Sequence, residues 1–455
     1  MEQSEKRGQW GSRFGFIMAA AGSAVGLGNL WKFPYLVGKN GGGVFVLIYL
    51  VIVVFLGYTM MLGELAIGRN TKLNQYNAYR SINSKTGFMG VFGILSAFLI
   101  LSFYSVVGGW ICKYLFEFVI RGIIPDSQNF FNLYVSGTWE PILWHAVFMA
   151  LTLIIVFGGV SGGIEKASKI MMPTLLVFLI IIAVRSLTLP NAMEGVAYYL
   201  KPDFSKFSFQ VVVAAMGQVF FSLSMGMGVL VTYGSYLKGE EDLSNNALTI
   251  PAIDTIVALL AGFAIIPAVF SFGMEVTQGP GLLFGTLPAV FDQMPFGQLF
   301  GIIFFLLVLF AGLTSSISLL ESPVSWAIDS LKWNRKTAVI VFAGLCFIIG
   351  AAASLSMGPV LGDFKIYWFD PKGQVIFDFL DYLTANILMP LGGLLLSLFI
   401  TFIWGYDRAF AEIRKGSKSN FSMGGFWKIS MMVLVPIMLI LVFLQQMGIL
   451  SRFIG

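Results

Sequence analysis

The stretch AAAGSAVGLGNLWKFP, residues 19 to 34, sets Gly22, Gly26 and Gly28 in the middle of an apolar run and follows them with Asn29 and Pro34. Glycine costs about 1 kcal/mol relative to alanine inside a helix, so three so close together favour an unwound stretch from Gly22 to Asn29. Taken alone, the run is explained equally well by close helix packing through small residues, since Gly22 and Gly26 match a GxxxG pattern. A second run shifts the balance. GQVFFSLSMGMG, residues 217 to 228, places another serine and glycine cluster, Ser222 to Gly228, inside an apolar segment. These are the first and sixth apolar segments of the chain. Breaks at corresponding depth there are what an inverted repeat of five plus five helices produces, with ligands bound where the repeats meet. Half-helix N-termini offer N–H groups to an anion and exposed carbonyls offer oxygens to a cation, which suits a zwitterion bound together with Na⁺.

The remainder of the chain fits that frame. It has 455 residues, 57% of them hydrophobic and only 11% charged, too little polar surface to cover a soluble globule of this size. Apolar stretches near residues 14 to 37, 43 to 69, 88 to 121, 140 to 160, 167 to 188, 209 to 237, 248 to 273, 297 to 330, 337 to 355, 376 to 405 and 427 to 450 predict spans 1 to 11. The expected fold is therefore an all-α integral membrane protein of eleven transmembrane helices, one transport domain over residues 1 to 455. Residues 14 to 188 would form the first inverted repeat and 209 to 405 the second, with 427 to 450 an additional helix. Most of the 28 basic residues fall on the side of the N-terminus, so the positive-inside rule predicts a cytoplasmic N-terminus and, with an odd span count, an extracellular C-terminus. The polar start and uncleavable first run speak against a removable signal peptide. The net charge of +5 sorts with loops rather than one face, so no nucleic-acid partner is expected, only the lipid bilayer, a substrate and ions. Cys112 and Cys346 form neither a metal pattern nor a disulfide framework, and His145 is the single histidine, which leaves no enzyme chemistry to assign.

AGSAVGLGNLWKFP in span 1, NGGG at Asn40 to Gly43, GELAIGR at Gly63 to Arg69, the span 6 string and AGLTSS at Ala311 to Ser316 together resemble the neurotransmitter:sodium symporter family, whose fold is the LeuT type. The eleven-span length is similar to a bacterial subgroup of that family, and the resemblance covers nearly the whole chain. It implies a bacterial inner-membrane protein performing sodium-coupled symport of hydrophobic and aromatic L-amino acids, with Na⁺ as coupling ion and no other cofactor. One sodium site would use the Ala24 carbonyl, Asn29, Ser222 and Asp254. A second would use the Gly22, Val25 and Ala311 carbonyls with the Thr314 and Ser315 hydroxyls; neutral oxygens in a rigid cage suit a hard cation. The substrate carboxylate would meet the N–H groups of Leu27 and Gly28, beside Gly26, and the Tyr104 hydroxyl. Its ammonium would meet carbonyls near Ser23, Ala24, Phe221, Ser222 and Ser224. Ile100, Phe221, Met227 and Leu319 would line the side-chain pocket, with Met227 where an aromatic is common, an adaptable wall for several side-chain shapes.

The same resemblance implies gates. Lys32 and Asp381 correspond to an outer pair, with lysine in place of the usual arginine and so without its planar fork. Arg7, Trp10, Tyr236 and Asp329 correspond to the cytoplasmic gate, and Glu64 would brace the break in span 6. Asp254 stands where animal members carry asparagine and need chloride, near a position that here is Ala258, so chloride-independent transport is expected. Gly163 and Pro173, ten residues apart, form a candidate hinge in span 5, or simply a helix start and a tolerated proline. An amino-acid sensor or a channel of the same fold would carry much the same residues.

Overall fold

The computed structural model describes residues 8–274, 279–417 and 424–449. The chain there is almost entirely helical, with no strand among the described residues and only two isolated bridges, Gly42 with Pro202 and Ile366 with Gln374. Nine helices in these residues are long and apolar enough to cross a membrane, and the pair Arg13–Ala24 and Gly28–Lys39, bent by 54°, makes a tenth. The sixth expected span is not one helix. Its halves, Phe209–Ser222 and Val229–Ser235, are parted at the serine and glycine cluster, and neither alone is long enough to cross about 30 Å of hydrocarbon.

Both breaks are narrower than their glycines suggested, and local chemistry explains where each begins. Span 1 starts at an N-cap, the Ser12 hydroxyl accepting from the Gly15 N–H at 3.1 Å, and its first half stops where Val25 turns extended at ψ 111°. Leu27 already has helical dihedrals and Gly28 begins the next helical segment, so only Val25 and Gly26 lie outside the helix. In span 6, Ser224 at φ 54°, Gly226 at φ 80° and Gly228 at φ 61° all take the left-handed conformation. Gly226 also admits span 10: a Cβ there would stand 2.4 Å from the Met389 carbonyl oxygen. Side chains take up part of the backbone bonding that each break frees, since hydrocarbon cannot hydrogen-bond a freed amide. The Asn29 Oδ1 accepts from the Gly26 N–H at 3.0 Å, Gln218 Nε2 donates to the Gly28 carbonyl at 3.1 Å, and Glu64 Oε1 accepts from the Gly226 N–H at 2.9 Å.

Several expected boundaries move. Span 7 starts at Leu243 rather than 248, because Asp242 caps the polar residues that follow by accepting from the Asn245 N–H at 3.1 Å. Span 10 continues past a left-handed Gly405 through the amphipathic Tyr406–Arg414. Span 5 begins at Val160, so Gly163 lies inside a π-helical turn, Val160–Glu165, and is not the helix start. A Cβ on Gly163 would sit 2.0 Å from the Ile155 carbonyl oxygen, so this glycine serves close approach to the end of span 4. Pro173 lies within continuous helix, Lys166–Leu187. Short helices the hydropathy reading passed over, Gln75–Ile82, Ser127–Val135, Ala192–Leu200 and Leu287–Gln293, lie between spans.

Span 8, Gly297–Leu331, is the most enclosed of the nine unbroken spans, with 78% of its most apolar stretch buried against 33% for spans 4 and 11. It packs against spans 1, 3 and 5, which puts the serine-rich 314–318 segment beside the break in span 1. Spans 4, 5 and 9 instead expose large apolar side chains such as Leu143, Ile154, Val177, Ile180 and Ile348, as a lipid-facing perimeter requires.

Candidate functional site

Three spans meet at one buried carboxylate. Asp254, fully buried on span 7, accepts from Asn29 Nδ2 at its Oδ1 and from the Ser222 hydroxyl at its Oδ2, each at 2.8 Å. Asn29 Nδ2 also reaches the Asp254 carbonyl at 3.2 Å. Span 1 contributes Asn29 just after its break and span 6 contributes Ser222 just before its own, so each discontinuity delivers one donor to the same anion. A buried carboxylate is costly in a membrane and is retained where polar partners or a cation satisfy it. Ala24 ends the preceding half-helix and is buried. Ala258, one turn along span 7, is fully buried and offers no polar side chain.

A second oxygen-rich cluster lies on the other side of the break. The Ser315 hydroxyl is 3.2 Å from the Val25 carbonyl oxygen and 3.4 Å from those of Gly22 and Ser23. Thr314 Oγ1 donates to the Phe310 and Ala311 carbonyls at 3.0 and 3.1 Å. The approach of spans 1 and 8 depends on Gly22, where a Cβ would come within 2.9 Å of Thr314 Cβ. Gly22, Val25, Ala311, Thr314 and Ser315 thus stand together at the contact of spans 1 and 8.

Between the clusters, the Tyr104 hydroxyl of span 3 is buried beside the Ser315 side chain and the Leu27 backbone without a well-formed hydrogen bond to either. A Cβ on Gly26 would lie 3.3 Å from it and 2.8 Å from the Ser315 hydroxyl, so both oxygens face the unwound stretch. Leu27 and Gly28 open the second half-helix of span 1, where first-turn N–H groups have no intrahelical acceptor. Ser224 donates to the Ser23 carbonyl at 3.1 Å and Ser23 to the Ser318 hydroxyl at 2.7 Å, tying both breaks to span 8. Ile100, Met227 and Leu319 are buried in one apolar core, and the Phe221 ring covers Gly28, where a Cβ would be 3.1 Å from it.

The gate residues are placed less as expected. Lys32 and Asp381 make no ion pair. They are close enough for their charges to interact, but Lys32 Nζ lies over the Phe221 ring, 3.9 Å from its centroid, a cation–π contact a point charge makes without a fork. Arg7 lies outside the described residues. Trp10 is buried against Phe16, Tyr233 and Tyr236, and its indole donates to the Tyr233 carbonyl at 2.9 Å. Tyr236 donates to Glu321 at 2.8 Å, and Asp329 accepts from the backbone and side chain of Asn74 at 3.0 Å each. Glu321 was missed in the sequence. It is fully buried on span 8 and pairs with Arg335 at 2.5 Å, whose Nε donates to the Val156 carbonyl at 2.9 Å. The available signal was a carboxylate in the middle of an apolar span with an arginine opening the next one. Gln218, also missed, stands four residues before Ser222, one helical turn away on the same face.

Two half-helices meeting at midspan around buried carbonyls, hydroxyls and one carboxylate define a membrane carrier of the LeuT-type class. The chain belongs to the sodium:neurotransmitter symporter family, whose model matches residues 7–126 and 135–452. It is 42% identical over 453 residues to the sodium-dependent transporter YhdH of Bacillus subtilis (strain 168), covering 98% of this chain and 99% of that one. A sodium-dependent transporter of Haemophilus influenzae is 37% identical over 98% of this chain and 99% of its own length. The crystal structure of MhsT in complex with L-phenylalanine superposes with a TM-score of 0.88 at 40% identity, covering 97% of this chain and 100% of that one. The fold is therefore LeuT-like, the protein is a multi-pass membrane transporter, and sodium is its coupling ion.

Proposed function

We propose that this chain takes up hydrophobic and aromatic L-amino acids with sodium by alternating access, and that it does so without chloride. The observation that carries the reading is the convergence of Asn29 and Ser222 on Asp254, a fixed negative charge at the meeting of both breaks. One sodium ion is bound there by Asp254, Asn29, Ser222 and the Ala24 carbonyl, the substrate carboxylate completing the shell. With the negative charge supplied by Asp254 and an alanine at position 258, an accompanying anion has no task. A second sodium is bound by the Gly22, Val25 and Ala311 carbonyls with Thr314 and Ser315.

The substrate carboxylate is received by the Leu27 and Gly28 N–H groups and by Tyr104, whose hydroxyl stands beside the Leu27 backbone. Carbonyls near Ser23, Ala24, Phe221, Ser222 and Ser224 take the ammonium. Ile100, Phe221, Met227 and Leu319 receive the side chain; that a structurally similar carrier was crystallised with L-phenylalanine supports a bulky apolar substrate. Phe221, weighted by Lys32, covers the site from outside, with Asp381 nearby. Trp10, Tyr236 and Asp329 close it from the cytoplasm, together with Arg7. Spans 1 to 5 and 6 to 10 are the inverted repeats that rock about this site, span 11 is additional to both, and the N-terminus is cytoplasmic in a bacterial inner membrane.

Sodium-driven uptake of each of the twenty amino acids by reconstituted protein, with chloride or gluconate, tests this. Leucine, phenylalanine, tyrosine and tryptophan should accumulate equally in both salts. Failure to accumulate any of the four would refute the substrate class, and absence of counterflow would refute a carrier in favour of a sensor.

A further inference from the structure

The cytoplasmic helix Gln75–Ile82 does more than connect spans 2 and 3. It is docked on span 8: Asn74, its N-cap, is held by Asp329, and Asn77 Nδ2 donates to the Ser330 hydroxyl at 2.9 Å. Its first residue, Gln75, turns inward and is only 1% exposed. Two glycines on different spans make room for this one side chain. A Cβ on Gly93 of span 3 would lie 2.2 Å from Gln75 Oε1 and 2.6 Å from the Met227 carbonyl oxygen. A Cβ on Gly228, the left-handed residue that restarts span 6, would lie 2.5 Å from Gln75 Oε1.

Gln75 Nε2 donates to the Ser322 hydroxyl of span 8 at 2.9 Å, while Oε1 is buried with no partner. A half-turn of the amide exchanges its two ends at no cost in shape. With the amide turned, Oε1 accepts from the Ser322 hydroxyl and the Nε2 donor enters the space between Gly93 and Gly228 that the Met227 carbonyl oxygen also borders.

We propose that Gln75 is a positioning residue for substrate selection, holding the Met227–Gly228 turn against Ser322 and thereby setting the size of side chain the pocket accepts. The inference rests on Met227 lining that pocket. Gln75 itself acts from the cytoplasmic side and touches no substrate. Because Asp329 holds the adjacent Asn74, the same short helix joins the cytoplasmic gate to the pocket floor.

The test is the ratio of KM values for tryptophan and valine in sodium-driven uptake by proteoliposomes, for Gln75→Ala, Ser322→Ala, the double variant and Met227→Ala. Loss of the support deepens the pocket, so Gln75→Ala and Ser322→Ala should each move the ratio toward tryptophan by about tenfold, the discrimination that one methylene of pocket space supplies. The double variant should move it no further than the single ones, since both remove one linkage. Vmax should change little, as expected for altered binding rather than altered turnover. Ser322→Ala keeps the test decisive if Gln75→Ala does not fold. An unchanged ratio in the variants that fold, or a uniform fall in Vmax for both substrates, would overturn the proposal. In that event a shifted ratio in Met227→Ala leaves the pocket reading standing, and an unshifted one removes it too.

Discussion

Replacing Asp254 by asparagine separates charge from shape at the centre of this site. The amide is isosteric, can still accept from Asn29 Nδ2, and can donate to the Ser222 hydroxyl in place of accepting from it, so both 2.8 Å contacts have a neutral substitute. What disappears is one full negative charge beside the proposed sodium. Two unit charges about 4 Å apart in an environment of effective dielectric about 20 interact by about 4 kcal/mol, which is about three orders of magnitude in affinity. The expected result is a protein that folds and melts close to wild type but whose half-saturating sodium concentration rises by two to three decades, about 3 to 4 kcal/mol. Substrate binding to purified protein, titrated with sodium in chloride-free gluconate buffer, reads this directly. Wild-type sodium dependence of Asp254→Asn under those conditions would refute the reasoning, because the carboxylate would then contribute nothing as an anion.

Further outcomes follow from individual contacts. Tyr104→Phe removes a hydroxyl that makes no well-formed hydrogen bond within the protein, so thermal stability should change little while amino-acid KM rises by about tenfold, the worth of one lost hydrogen bond to a charged group. Gly68→Ala would put a Cβ 2.1 Å from the Val231 carbonyl oxygen; overpacking of this kind costs about 1–3 kcal/mol and should appear as a lower melting temperature in detergent. Glu321→Gln leaves Arg335 without its charge partner inside span 8, and breaking such a pair costs about 3 kcal/mol, the low end of its range because Arg335 is 21% exposed. A melting temperature equal to wild type would show that Tyr236 and Val156 alone hold that corner.

Much of the architecture was legible because a bilayer imposes strict rules on sequence. Backbone groups must be paired inside hydrocarbon, so spans are long apolar helices and any interruption needs glycine, serine or polar side chains that announce themselves. That is why the breaks at Gly22 to Asn29 and Ser222 to Gly228 could be located to within a few residues. The short helices between spans were invisible to the same reading, since Gln75–Ile82 is too polar and too brief to resemble a span.

By itself, the sequence determined that the chain lives in a membrane, that two of its helices are interrupted, and which oxygen-bearing residues stand near the interruptions. Only the tertiary structure decided the partnerships. Lys32 was expected to face Asp381 and instead covers Phe221; Tyr236 found Glu321; Gly163 serves contact with span 4 rather than starting a helix; Gln75 entered the interior between Gly93 and Gly228. Helical periodicity ranks a side chain by the face it occupies, but which distant residue meets that face depends on how several helices cross at once, and a contact between residues 75 and 322 leaves no local trace.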